Sequence, residues 1–503
     1  MTAKLSLQAA LANPAELSVT WELIPGRGAR EKAQEHLVKM AELAAKDSRI
    51  NAVTITDNPG GKSAITAYAM AVEAKQLGID PLVHFTTKDK NRNALESELY
   101  ALNRAGIENL LVMTGDYPVQ GYAGNAKPVF DFDAVQALRM ITKMNDSAYT
   151  KLAPMAFFAG AVVSPFKSTE AETMSQYYKL HKKIVNGARF VITQLGYDAR
   201  KFDELKKYIT LNNLAVSLIG NIFILSLPVA KMMNKNLIPG CVVTDSLVAR
   251  LEEEAAHSNK KELQLLRAAR QYAVLKGLQY DGVNIGGHGL DYSEVRYIIE
   301  KGEELSANWQ DIAAAEFNHP QAGGFYFFEK DAATGLNTCQ PVDRRRTGPG
   351  RTSLKQSLMN VVHEVAFDQK APLYPVNKAI ARYIDQSWLK QPFTKAEYTT
   401  KTMTNECRFC GDCAMHELGF ICPMSQCPKQ QRNGACGGSR DGWCEVYPGK
   451  QKCIYVQMYE GFKGQGKEER MKEKYMPPCN WDLHRTSSWL NYFNDRDYNS
   501  NKD

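Results

Sequence analysis

The residues best equipped for chemistry in this chain are its cysteines. Seven of the eleven lie in ECRFCGDCAMHELGFICPMSQCPKQQRNGACGGSRDGWCEV, residues 406–446, and Cys453 and Cys479 follow. Everything before that stretch holds two, Cys241 and Cys339. In a reducing compartment, such clustering reads as metal ligation before it reads as disulfides. Zinc sites favour paired C-x2-C knuckles separated by a loop. Here Cys407, Cys410 and Cys413 form one C-x2-C-x2-C run, followed by Cys422-Pro423 and Cys427-Pro428. Three close cysteines and a remoter Cys-Pro are similar to the run that holds [4Fe–4S] clusters in ferredoxins, although the spacing to Cys422 is longer. Cys436 sits in NGACGG, among glycines that let backbone approach a cluster closely. His416, inside the run, is not read as a ligand.

A second group of polar residues closes a series of apolar runs: Glu22, Thr54 with Asp57 and Asn58, His84, Asp116, Gln194, and Gly286-Gly287-His288. Any one of them alone reads as a cap or a loop hydrogen bond; together they favour a site. Glu22, in WELIP, has Trp21, Leu23 and Ile24 about it. Desolvation there raises a carboxyl pKa toward neutrality, as a general acid requires. The ordinary alternative is a cap or an ion pair with Arg27 or Arg30. Asp116 lies in the turn TGDYP, held by Gly115 and Pro118, and Gln194 closes RFVITQ. An Asp and a Gln can grip a ring with adjacent donors and acceptors, such as a pterin or flavin edge. His84 reads as a cofactor partner or a core histidine, because no metal-ligand spacing accompanies it.

The elements that would position these groups alternate in period. LSVTWEL (17–23), NAVTIT (51–56), LVHFT (82–86), NLLVMTGD (109–116), PMAFFAGAVV (154–163), RFVITQL (189–195), LAVSLIGNIFIL (214–225) and DGVNIGG (281–287) read as strands separated by helical patterns. Repeated switching between strand and helix marks parallel βαβ units. Eight strands over about 280 residues match a (β/α)₈ TIM barrel, whose sites lie at the C-terminal ends of the strands. An open doubly wound sheet is weakened by the lack of G-x-G-x-x-G after the first strand. Residues 241–277 read as extra helices. The expected organisation is a barrel over 1–302, a helical and loop connector packed on it over 303–400, and a small cysteine-rich iron–sulfur domain over 401–503 with a polar, fraying end. The basic run at 343–346, within RRRTGPGRT, reads as a solvated linker.

WELIPGRG, VTITDNPGG, HFTTKDKNRN, GIENLLVMTGDYP, GARFVITQ and LIPG fall in the order seen in methylenetetrahydrofolate reductases, and this resemblance covers about residues 17–300. The tail pattern C-x2-C-x2-C, ICP, CPK, NG-x-CGG, CEV, C resembles the cysteine-rich C-terminal or partner domain found with a subset of these enzymes. The resemblance implies a flavin enzyme interconverting 5,10-methylenetetrahydrofolate and 5-methyltetrahydrofolate. It implies Glu22 as general acid, Asp116 near both flavin and pterin, and Gln194 on the folate. Thr54, His84, Thr114, Gly115, Asp116, Lys179 and Lys183 are the implied cofactor contacts. The segment before Asp116 lacks an Arg found in some members, and Lys179 and Gln176 replace other flavin contacts, so FAD and FMN both remain open. Cys444 and Cys453 complete a family-matching ligand set of eight: Cys407, Cys410, Cys413, Cys422, Cys427, Cys436, Cys444 and Cys453. Eight thiolates complete two [4Fe–4S] clusters. Zinc in place of one cluster is the second reading, and a purely structural zinc tail the third. Cys479 is then left as a buried free thiol.

A fused cluster domain points to single electrons from a ferredoxin, a flavodoxin or another redox subunit rather than hydride from NAD(P)H. The alternatives are an NAD(P)H-dependent reductase with a zinc tail, a non-catalytic folate-binding or redox scaffold, and a flavin-free pterin methyltransferase. The chain's 44% hydrophobic and 23% charged residues match an ordinary globular protein. A net charge of +7, with basic residues spread among 55 acids, does not suggest nucleic acid. No stretch has the apolar length of a membrane span. MTAKLSLQAALANP lacks the core and cleavage site of a signal peptide, so a cytoplasmic location is expected, as is an oligomer.

Overall fold

A computed structural model describes residues 4–345, 350 and 352–500 of the chain. Eight parallel strands close a barrel: β1 (Ser18–Leu23), β2 (Ala52–Ile55), β3 (Asp80–Thr86), β4 (Asn109–Met113), β5 (Phe158–Val163), β6 (Phe190–Thr193), β7 (Ser217–Phe223) and β8 (Gly282–Gly286). They pair in chain order, and β8 returns to β1 with Trp21 opposite Ile285. Seven of the eight expected strand runs contain one of them whole, and LVHFT (82–86) covers all of β3 except Asp80 and Pro81. The principal barrel helices are α1 (Lys32–Ala45), α2 (Ala67–Gln76), α3 (Arg92–Arg104), α4 (Ala134–Met144), α5 (Glu170–Val185) and α6 (Ala199–Leu211). After β7 come α7 (Leu227–Asn234), which precedes the stretch expected to hold extra helices, and within that stretch α8 (Asp245–Ala255) and α9 (Lys260–Gly277); α10 (Tyr292–Leu305) follows β8.

The period of two along each strand sorts the side chains. Trp21, Val53, Val83 and Ile285 face the helices in the main core. Ala52, Leu82, Leu111, Phe190, Ile192 and Ile219 fill the barrel interior, closed by Leu7 and Leu11 of a short N-terminal helix. Toward the strand C-termini the interior turns polar. Asn284 Oδ1 accepts from Thr20 Oγ1 at 2.8 Å and from Thr54 Oγ1 at 3.3 Å, while its Nδ2 donates to Asn221 Oδ1 at 3.2 Å.

The expected connector divides. Its first part stays on the barrel: a hairpin (Phe328–Lys330 with Asn337–Pro341) docks on α6, where Asp203 accepts from the Asn337 N–H at 2.9 Å. The second part forms α11 (Leu354–Ala366), α12 (Tyr374–Gln386) and α13 (Lys390–Asn405), which pack on the cysteine-rich segment instead. Met359 joins Cys410, Cys413 and Cys422; Tyr398 stacks on Phe409; Ala381 and Ile384 pack with Leu490 and Phe493. These contacts have an amphipathic origin: the apolar residues of α12 that find partners lie one helical turn apart.

Two further expectations need correction. The basic run is not wholly solvated, because Arg344 bonds Tyr178 and Glu469; residues 346–349 and 351 of that loop lie outside the described residues. The polar end is docked through Ser500 rather than frayed: Tyr498 is buried, with its N–H donating to Asp412 at 2.9 Å, and Arg496 pairs with Asp385. Among the described residues no helix is long and apolar enough to cross a membrane.

Candidate active site at the barrel mouth

A cavity of about 220 Å³ opens where the strands end. Its barrel wall includes Glu22, His84, Thr114, Gly115, Asp116, Lys179, Lys183 and Gln194, all expected site residues. Thr54 does not line it. Fully buried one layer below, Thr54 donates to Asn284 and so supports the floor. His288 is exposed and absent from the wall.

Glu22 ends β1 on the inward side, beside Asn284. Burial pushes its carboxyl up to about 7, against the Asn284 hydrogen bond, which pulls it down. Such a group is half protonated near neutrality and can deliver a proton. Gly286 makes room for it: a Cβ there would stand 3.2 Å from Glu22 Oε1. Asp116 sits in the loop after β4, where its Oδ2 accepts from the Gly60 N–H at 2.7 Å. Gly115 holds a positive φ of 85°, and a Cβ would meet Lys88 Cδ at 2.8 Å, so the turn needs glycine on two grounds. Gln194, directly after β6, accepts the Leu195 N–H with its Oε1 and lines the cavity.

Burial pulls the His84 imidazole down to about 4, so it is neutral at pH 7, and its buried Nε2 has no hydrogen-bond partner among the described residues. The Gln176 Nε2 is likewise buried without one. Buried polar atoms are normally satisfied. Two unsatisfied ones on a cavity wall suit a ligand carrying its own donors and acceptors. Lys183 donates to the Val162 carbonyl, and burial, reinforced by Lys179, pulls its ammonium down to about 7.

The remaining wall comes from the tail: Lys429, Cys436, Gly437, Gly438 and Glu445. Lys429 Nζ donates to the Gly115 carbonyl at 2.9 Å and pairs with Glu445, whose Oε1 also accepts from Cys436 Sγ at 3.4 Å. Burial opposes the Lys429 charge, but Glu445, with smaller help from Cys436, leaves the ammonium above its usual pKa. Gln431 Oε1 accepts from Thr114 Oγ1 and from Lys179 Nζ, both at 2.9 Å, and the Gly434 carbonyl takes a second Lys179 proton. Thr114 and Lys179, expected to hold a cofactor, are thus engaged by the tail. Gly434 (φ 141°) permits this, since a Cβ would stand 2.7 Å from Lys179 Cβ. The glycines of NGACGG therefore serve contacts with barrel side chains and with Glu445.

The docking is anchored at α4. Asp133 Oδ1 caps that helix through the Val135 and Gln136 N–H groups, while Oδ2 accepts from the Arg432 N–H (3.1 Å) and the Asn433 N–H (2.8 Å). Tyr459 and Lys463, on α14 (Ile454–Lys463), bind Glu170 of α5.

The eight expected cysteines fall into two hollows. Cys407, Cys410, Cys413 and Cys422 line one with Tyr398, Lys401 and Phe409. Cys427, Cys436, Cys444 and Cys453 line the other, and Cys436, Lys429 and Glu445 belong to both that hollow and the barrel cavity. Among the described residues, no group of three or more His, Cys, Asp or Glu could hold a metal ion. Cys479 is buried against the first hollow, packed with Cys410 and Cys413. His416 stacks on His363 at 3.5 Å.

Sequence reasoning passed over Asn284, Asn221, Lys429, Gln431 and Glu445. Strand alternation carried a signal for the two asparagines; nothing local marked the tail residues, of which Lys429 and Gln431 find barrel partners more than 250 positions away.

Comparison with known proteins gives matches over both parts. The family model described as methylenetetrahydrofolate reductase matches residues 7–284, and the one described as methylene-tetrahydrofolate reductase C terminal matches 387–482. Methylenetetrahydrofolate reductase 2 of Schizosaccharomyces pombe is 22% identical over 265 residues, which is 50% of this chain and 40% of that protein. The chain thus spans well under two thirds of that relative. Among solved structures, an uncharacterized Clostridium thermocellum protein that binds two copies of 5-methyl-5,6,7,8-tetrahydrofolic acid aligns with 60% of this chain and 99% of its own (15% identity, TM-score 0.40). Yersinia pestis DHPS with a pterine-sulfa conjugate aligns with 58% and 96% (10% identity, TM-score 0.33).

Proposed function

The chain belongs to the methylenetetrahydrofolate reductase family, and from that premise we propose that it interconverts 5,10-methylenetetrahydrofolate and 5-methyltetrahydrofolate with electrons that enter through the cysteine-rich tail. The observation that carries this reading is the shared wall: Cys436 borders both the cavity of Glu22, Asp116 and Gln194 and a four-thiol hollow.

In this reading Glu22 gives its proton to the ring nitrogen that leaves as the imidazolidine opens. Its buried position keeps that proton available near neutrality. Gln194 and Asp116 orient the pterin edge, one offering an amide and the other a carboxylate. A flavin bound beside them would supply hydride to the methylene carbon. The unpartnered His84 Nε2 and Gln176 Nε2 fit such a ring, and Lys183 and Gly115 complete its surroundings. The tail wall excludes water, which strengthens every polar contact inside. Each four-thiol hollow offers the donor set of a [4Fe–4S] cluster, and such clusters would supply single electrons. The lysine-rich wall does not distinguish FAD from FMN.

Anaerobic purification followed by flavin, iron, zinc and sulfide analysis tests the reading. Bound flavin with about eight irons per chain, and reduction by a ferredoxin-type donor that fails once iron is stripped, are expected. Flavin reduced by NADH at a rate indifferent to iron removal would overturn the electron route. A zinc-only, flavin-free protein would overturn the activity itself.

A further inference from the structure

A groove of about 250 Å³ lies on the surface where the end of α7 meets the tail. Lys235 and its two neighbours line one side, and Arg440, Trp443, Cys444 and Gly449 line the other. Cys444 also lines the second thiol hollow, and Cys436 belongs to both that hollow and the barrel cavity. Groove, hollow and cavity are thus joined in series, with a cysteine at each joint. The first hollow shares no lining residue with the groove or with the cavity.

The groove is basic. Lys235 is exposed on its wall, and Lys450, directly after Gly449, is exposed as well. Lys452 is also exposed, and its Nζ stands 4.1 Å from the centre of the Trp443 ring. The acid on the wall, Asp441, accepts from Ser168 Oγ at 2.7 Å and lies 3.9 Å from Arg440 Nε. Three lysines and an arginine therefore surround the one place where this hollow meets a surface groove.

We propose that this groove is the docking surface for a small acidic protein that carries one electron at a time, and that electrons pass from it by way of Cys444 into the second hollow. The proposal rests on the electron route proposed above and gives that route a point of entry. Encounters between electron carriers are small contacts steered by charge, and a basic groove steers an acidic carrier. A nicotinamide nucleotide would have to reach the cavity itself to give hydride, and groove and cavity share no lining residue. Reducing the methylene group to methyl takes two electrons and two protons. Two carriers dock in turn, each oxidised by one electron, and water supplies the protons, one of them by way of Glu22.

Stopped-flow reduction of the anaerobically purified protein by a reduced acidic ferredoxin tests the proposal, with the methyl viologen radical as a small reductant for comparison. In Lys235→Glu/Lys450→Glu the second-order rate with the ferredoxin is expected to fall about tenfold or more, and the rate with the viologen is expected not to fall. A ferredoxin rate equal to the wild type's would overturn the dock and leave the proposed function standing. A protein without iron would overturn both. Should the variant misfold and lose both rates, carbodiimide cross-linking of the wild type to the ferredoxin decides: links at Lys235, Lys450 or Lys452 are expected, and links at other lysines alone refute the dock.

Discussion

Glu22→Gln isolates what the barrel does to one carboxyl. Burial holds its pKa at about 7, against the ordinary 4.5 of an exposed glutamate. Between those values the folded chain binds a proton that the unfolded chain has released. Stability therefore falls as pH rises from about 4.5 to about 7, and the loss is complete above that. At about 1.4 kcal/mol per pH unit, the gap amounts to about 3 kcal/mol. Glutamine keeps the shape and can still bond Asn284, but it cannot ionise. The variant and the wild type are expected to melt together near pH 4.5. At pH 8 the variant is expected to gain about 3 kcal/mol, roughly 5 °C in Tm for a barrel of this size. Its turnover falls by about 10²–10⁴-fold, the usual worth of a general acid. In the wild type, turnover limited by the Glu22 proton declines as pH rises through about 7. Thermal melts of both proteins at several pH values, with matching rate profiles, give the answer. A Tm difference that stays constant from pH 4.5 to pH 8 would refute a buried carboxyl titrating near 7.

Lys429→Met strands Glu445 as a buried unpaired charge and is expected to cost about 3–5 kcal/mol in urea unfolding; Lys429→Met/Glu445→Gln recovers part of it, and equal losses would show that the pair is not coupled. Asp133→Ala removes a helix cap and orphans the Arg432 and Asn433 N–H groups, so tail docking weakens by about 3 kcal/mol, read as faster proteolysis within the tail. Cys413→Ser and Cys444→Ser each should remove about half of the bound iron, because the two residues line different hollows; loss of all iron from either variant would contradict two separate sites.

Much of the barrel was legible because its strand runs differ in period from the helices between them. Glu22 was legible too, since an acid directly after an apolar strand has few ways to stay hydrated. Height along a strand was harder to judge. Thr54 lies two residues before the residues that close its run, and about 3.3 Å per residue is enough to place it under the floor rather than in the wall. Lys179 lines the cavity, but its tail partners Gln431 and Gly434 are more than 250 positions away and were not foreseen. The same kind of distance hid Lys429, whose partner Gly115 is 314 positions away. No local periodicity announces a contact of that kind. The connector misled because an amphipathic helix states that it needs a partner without saying which one.

The shared wall also sets an order of events on the ribosome. β8 ends at Gly286, so every strand of the barrel has been synthesised long before the residues that finish its cavity. Glu445 follows after a delay of roughly 10–30 s at ordinary elongation rates. Throughout that interval Gly115 lacks Lys429, and Thr114 and Lys179 lack Gln431. A nascent barrel has an open mouth and cannot sequester a ligand from water. The cavity thus gains its full wall only when the segment bearing the thiols has been made and docked.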